Sequence, residues 1–112
     1  MFRVNELIEA TKGRLINQAG DTIIRGISID SRTIHPQDVF IAIKGSNFDG
    51  HDFIAEAINK GASCIIKESG SEAKGKGRRV TFIEVQDTTK ALGDIARFQR
   101  RKFNIPVIAV TG

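Results

Sequence analysis

Tryptophan and tyrosine are absent from this sequence of 112 residues, and cysteine and methionine occur once each. A lone cysteine, Cys64, cannot form an internal disulfide. Within Ala62-Ser63-Cys64-Ile65-Ile66 it reads as a buried small hydrophobe. The seven Phe fall mostly in apolar-patterned segments, so the chain lacks the aromatic stripe of a base-stacking nucleic-acid platform. No apolar run approaches the roughly 20 residues that a membrane helix needs. The opening Met1-Phe2-Arg3-Val4-Asn5 does not read as a secretory signal. A cytoplasmic monomer, with no membrane insertion and no nucleic-acid partner, is expected.

Several chemistries are excluded in the same way. The two histidines, His35 and His51, and Cys64 have no metal-ligand spacing, so no metal site is expected. No serine sits in a nucleophile-elbow sequence, and no catalytic residue can be named. His51 reads as a surface or capping residue at a helix start. Asp49 and Asp52 read as carboxylates favoured by the positive end of that helix rather than as an acid–base pair. The net charge of +4 invites a basic nucleic-acid module as an alternative of another class. Its excess, however, gathers in a solvated loop, Lys74 to Arg79, and at a helix end, Arg97 with Arg100-Arg101-Lys102.

What is present is an alternation of short apolar runs with glycine-marked breaks. Asn5 can cap a helix carrying Leu7, Ile8 and Ala10, with Gly13 as its stop. Leu15-Ile16 and Ile23-Ile24 read as a small hairpin around Asn17 to Asp21. Gly26 to Asp30 alternates like a strand, and Val39 to Ile43 is apolar on both faces, as a central strand would be. His51 to Lys60 reads as a helix with Phe53, Ile54, Ala57 and Ile58 inward and Gly61 as terminator. Cys64-Ile65-Ile66 and Val80 to Val85 are strands joined by a polar segment, Glu68 to Arg79. Asp87 or Thr88 caps a longer helix with Leu92, Ile95 and Ala96 inward, and Pro106 to Val110 reads as a last buried strand. An α/β fold is expected: a compact sandwich with a small mixed sheet and flanking helices.

Two loops at strand ends are the places to hold a ligand. Asp30-Ser31-Arg32 follows one strand, and Gly45-Ser46-Asn47-Phe48-Asp49-Gly50 follows the next. Ser31, Ser46 and Asn47 could pair with a nucleotide base, and Phe48 could offer it a flat apolar contact. Arg32 could meet a phosphate or fix its loop on a carboxylate such as Asp30 or Asp49. Ordinary turn chemistry explains these residues at least as well, and their spacing alone leaves the function open.

The ordered blocks Ser28-Ile29-Asp30-Ser31-Arg32, Asp38 to Gly45, Asp49-Gly50-His51-Asp52-Phe53-Ile54, Ala57 to Ala62, Asp87 to Ala96 and Pro106 to Gly112 together resemble the Mur ligases of peptidoglycan synthesis. The resemblance implies a UDP-substrate-binding domain over residues 1–105, with 106–112 as the first strand leading into an ATP-binding domain. It implies uridine contacts at Ile29 and Ser31 and at Ser46, Asn47 and Phe48, flanked by Arg32, Gly45 and Asp49. Gly112 would open the ATP loop, whose remainder is absent. The whole enzyme would use ATP and magnesium to phosphorylate the carboxylate of UDP-N-acetylmuramoyl-tripeptide, and D-alanyl-D-alanine would displace the phosphate. The branch that adds diaminopimelate or lysine is the alternative. His51-Asp52-Phe53 and Arg100 to Pro106 favour the D-alanyl-D-alanine branch. No ligase activity and no bound cofactor are expected of these 112 residues alone.

Overall fold

The computed structural model describes residues 2–18, 23–70 and 80–102. The polar segment over 71–79, the end of the expected hairpin turn, the strand from Pro106 and the loop glycine Gly112 lie outside the described residues. Among the described residues, seven strands and three α-helices are laid down in the order β1 (Phe2–Arg3), α1 (Val4–Thr11), β2 (Arg14–Asn17), β3 (Ile23–Ile24), β4 (Gly26–Ser28), β5 (Asp38–Ile41), α2 (Ile54–Asn59), β6 (Cys64–Glu68), β7 (Thr81–Val85) and α3 (Thr88–Lys102). Single 3-10 turns at Ser31–Thr33 and Gly50–Phe53 follow β4 and precede α2.

One five-stranded sheet runs β2-β7-β6-β5-β4, and a separate ribbon pairs β1 with β3. The neighbours from β4 to β7 are parallel, and β2 closes the β7 edge antiparallel, so the sheet is mixed as expected. Apolar side chains alternate through the sheet because strand residues point to opposite faces in turn. Val39, Ile41, Cys64, Ile66 and Ile83 pack with Leu7, Ala91 and Ile95 on one side. Phe40, Ala42, Ile65 and Phe82 pack with Ile54 and Ala57 on the other. Strands apolar on both faces are what a sheet covered twice requires, and β5 and β6 are interior here.

Four local expectations are corrected. The Leu15-Ile16 and Ile23-Ile24 runs do not form a hairpin: β2 pairs with β7, Leu15 opposite Ile83, and β3 pairs with β1, Ile24 opposite Phe2. Pairing with β7 gives the sheet a closing edge strand, and pairing with β1 buries Ile24 and Phe2 together. Asn5 is not the cap of α1. The helix begins at Val4, and Glu6 Oε1 accepts the Arg3 N–H at 2.9 Å. Its left-handed terminal residue is Lys12, at φ 55°, whereas Gly13 is needed for space, since a Cβ there would lie 2.6 Å from Ile83 Cγ2. Ala96 is exposed on α3, where Ala91 and Ile95 face the core instead. The cap of α3 is Asp87, whose Oδ1 accepts the N–H groups of Thr89 and Lys90 at 2.9 and 3.2 Å. Cys64 is fully buried, and burial pushes its thiol up to about 12, which keeps it inert.

Candidate functional site

The parallel pairing of β4 with β5, Ser28 opposite Phe40, sends both candidate loops out of the same sheet edge. In open parallel sheets the crevice beyond the carboxyl ends of strands is where ligands bind. A cleft of about 590 Å³ lies there, lined by Ile29, Asp30, Ser31 and Arg32 from the first loop and by Phe48 and Gly50 from the second. Phe40, Phe53 and Glu56 complete it. Ser31 is 5% exposed and Phe40 is buried, so the base of the cleft is firm, while Ile29 and Phe48 are exposed on its walls.

Each loop is built by its own residues. Asp30 caps the 3-10 turn: its Oδ1 accepts the Arg32 N–H at 2.9 Å, and the Arg32 guanidinium reaches both carboxylate oxygens, Nη2 to Oδ2 at 2.9 Å. The Arg32 side chain bonded to it holds the Asp30 carboxyl down at about 2, against an ordinary 3.8. Arg32 thus fixes its own loop, although its side chain remains 81% exposed. In the second loop the Gly45 N–H donates to Phe48 O at 2.8 Å, and the main chain of Lys44 pairs antiparallel with that of Asp49 across the turn. Gly50 then passes so close to the chain just beyond β5 that a Cβ would stand 2.7 Å from Ile43 N. Only glycine fits this approach.

The expected residues are therefore brought to one edge but not into one lining. Ile29, Ser31, Arg32 and Phe48 line the cleft; Gly45, Ser46, Asn47 and Asp49 lie in the adjoining loop and are not part of the lining. Ser46 and Asn47 are exposed there. Phe53 and Glu56, which are not among the expected contacts, contribute to the wall. A helix stripe counted Phe53 as core, but α2 begins one residue later and Phe53 stays partly exposed.

His51 is the clearest departure. It is not a surface residue: it is 5% exposed, and both ring nitrogens are engaged. Nδ1 stands 2.6 Å from Asp49 Oδ1, and the Glu68 N–H donates to Nε2 at 3.0 Å. Asp49 also accepts the backbone N–H of His51, and that bond, followed by the imidazole, holds its carboxyl below the ordinary range. Asp49 does cap the 3-10 turn that opens this segment.

A smaller cavity of about 370 Å³ opens between α1, β7 and α3, lined in part by Lys12, Arg14, Glu84 and Lys90, and includes no residue of the two loops. Among the described residues, no group of three or more His, Cys, Asp or Glu could hold a metal. The 112 residues contain no Gly-Lys-Ser or Gly-Lys-Thr triplet, the sequence by which a phosphate loop binds ATP. No helix among the described residues is long and apolar enough to cross a membrane.

A Synechocystis UDP-N-acetylmuramoyl-tripeptide--D-alanyl-D-alanine ligase is 35% identical over 112 residues, which is 100% of this chain and 24% of that protein. A Clostridium tetani UDP-N-acetylmuramoyl-L-alanyl-D-glutamate--2,6-diaminopimelate ligase is 35% identical over 113 residues, 99% of this chain and 23% of that protein. The chain thus spans about a quarter of the length of these relatives. The solved structure of an Acinetobacter baumannii UDP-N-acetylmuramoylalanyl-D-glutamyl-2,6-diaminopimelate--D-alanyl-D-alanyl ligase superimposes with a TM-score of 0.75 and 29% identity, over 90% of this chain and 22% of that one. A family model described as Mur ligase family, catalytic domain, matches residues 23–100. With most of its length inside that match and its sheet superimposing on a member's, the chain belongs to the Mur ligase family.

Proposed function

We propose that this chain is the UDP-recognising domain of a ligase that joins D-alanyl-D-alanine to UDP-N-acetylmuramoyl-tripeptide. The observation that carries the reading is the shared cleft: loops from two adjacent parallel strands line one concavity with Ile29, Ser31, Arg32 and Phe48. Its chemistry suits a uridine nucleotide. A base needs a flat apolar wall, which Ile29, Phe48 and Phe53 offer, and a hydrogen-bonding group at the base of the cleft, which Ser31 offers. Arg32 stands where a phosphate would compete with Asp30 for its guanidinium. Ser46 and Asn47, next to Phe48, would close over the nucleotide from the tip of the second loop.

ATP and magnesium belong, on this reading, to other parts of the enzyme, and no chemical step is assigned to the residues described. The 112-residue chain is accordingly expected to bind the UDP end of the substrate and to form no amide bond. The ligase that adds diaminopimelate remains a second reading, favoured by the 35% identity to the Clostridium tetani enzyme, equal to that of the D-alanyl-D-alanine relative.

The test is a titration of isotopically labelled chain with UDP. Amide signals of Ile29, Ser31 and Phe48 should move together and saturate, while those of Lys12 and Arg14 at the smaller cavity stay put. No movement at millimolar UDP would reject the nucleotide reading, and movement confined to Lys12, Arg14 and Lys90 would relocate the site.

A further inference from the structure

His51 does not line the cleft, yet its side chain ties the second loop to a strand other than its own. Within the loop, Gly45 N–H bonded to Phe48 O and the main-chain pairing of Lys44 with Asp49 close the turn on itself. The Gly50 N–H bonded to Ile43 O holds it to the segment it has just left. The imidazole reaches across to Glu68, 17 residues later and the last of β6. Glu68 in turn uses its Oε2 to accept the N–H and the hydroxyl of Thr88, at 3.3 and 3.1 Å. Thr88 is fully buried and is the first residue of α3.

The partners fix the state of the ring. A backbone N–H can only donate, so Nε2 must offer its lone pair to Glu68. A carboxylate can only accept, so the ring proton sits on Nδ1 and points at Asp49. Each ring nitrogen thus has one role, and a second proton would set Nε2 against the Glu68 N–H.

We infer that His51 is a positioning residue for the cleft: as a neutral imidazole protonated on Nδ1, it locks the Phe48-bearing loop to the end of β6 and, through Glu68 and Thr88, to the start of α3. Asp49 is one residue from Phe48, so the lock acts directly on the aromatic wall. The consequence for binding rests on the nucleotide reading above; the lock itself does not.

The experiment uses the 112-residue chain with labelled histidine. Ring nitrogen shifts should show Nε2 unprotonated, and a coupling across the hydrogen bond should join it to the Glu68 amide nitrogen. His51→Leu should then lose the Phe48–Phe53 proton contact in the ligand-free protein and weaken UDP binding by about tenfold or more, because the Glu68 donor is left without its acceptor. His51→Gln, whose amide offers both a donating NH2 and an accepting oxygen, should recover most of both. Should His51→Leu fail to fold, Asp49→Ala reads the same lock from its other end by removing the oxygen that accepts the Nδ1 proton, with the same loss of contact expected. A protonated Nε2, a missing coupling, a folded His51→Leu that keeps the Phe48–Phe53 contact, or a His51→Gln no better than His51→Leu would overturn the proposal. If the wild-type chain ignores UDP, the nucleotide reading falls, while the ring and Phe48–Phe53 measurements still decide the lock.

Discussion

Phe48 and Phe53 meet edge to face on one wall of the cleft, with ring centroids 6.1 Å apart and planes at 71°. Aromatic pairs favour this arrangement because the positive ring edge meets a negative face. Phe48 is nevertheless 57% exposed, so little of its surface is committed to the fold. Phe48→Ala should therefore weaken UDP binding by about 1–3 kcal/mol, the range for losing an aromatic surface under a base. The unfolding midpoint should hardly move. Calorimetric titration beside urea denaturation separates the two effects, and a large stability loss without loss of affinity would place Phe48 in the core rather than in the site.

Ser31→Ala tests the base of the cleft. The substitution removes one hydroxyl from a buried position and leaves the Asp30 cap and the Arg32 bridge in place. UDP affinity should fall by about 0.5–1.5 kcal/mol, the worth of one neutral hydrogen bond. Km for the UDP substrate in a whole enzyme carrying this domain is the corresponding kinetic measurement. An unchanged value would reduce the domain to a structural spacer.

Asp30 supplies a prediction in pH. Its carboxyl titrates at about 2 in the folded chain against an ordinary 3.8, chiefly because of the Arg32 side chain. A depressed carboxyl contributes stability that is complete above the ordinary value and is lost as pH falls through the folded one. The loop should therefore hold its order down to pH 3.8 and loosen between there and about 2. Carbon NMR of the Asp30 carboxyl should give that midpoint, and Arg32→Gln should move it upward. An Asp30 midpoint that ignores Arg32→Gln would show that the bridge is not formed in solution.

Gly50→Ala should destabilise the fold. The new methyl would lie 2.7 and 2.9 Å from the Ile43 N and O, backbone atoms that cannot swing aside. Overfilling of this kind costs about 1–3 kcal/mol. The urea midpoint should drop with little change in slope, because the surface exposed on unfolding is nearly the same. A neutral result would mean that Gly50 stands farther from Ile43 than the structure shows.

The sequence made some of this legible and hid the rest for physical reasons. Val39 to Ala42 and Cys64 to Ile66 are apolar at every position, a pattern that a doubly covered sheet imposes and that can be read locally. Both loops were legible because glycine, aspartate and serine mark strand exits. The pairing of β2 with β7 was not, since Leu15-Ile16 is equally suited to any nearby edge and its partner lies some 70 residues away in Ile83. The role of His51 was hidden for the same reason. Its type and its place after Asp-Gly suggest a helix start, whereas its burial depends on the Glu68 amide arriving from another strand. Phe53 misled in the opposite sense: periodicity put it inward, but the 3-10 turn over Gly50–Phe53 rotates it to the cleft before the α-helical spacing begins.

The parallel pairing of Gly26–Ser28 with Asp38–Phe40 has one more effect. Neighbouring strands sit a fixed step of about 4.8 Å apart, set by backbone hydrogen bonds that no side chain can alter. The gap between the two loops that line the cleft is thus inherited from the main chain. Residues at the loop tips can be exchanged to suit different ligands while the gauge of the opening stays the same, and a slip of one residue in β4 would disturb it more than any single change in the loops themselves.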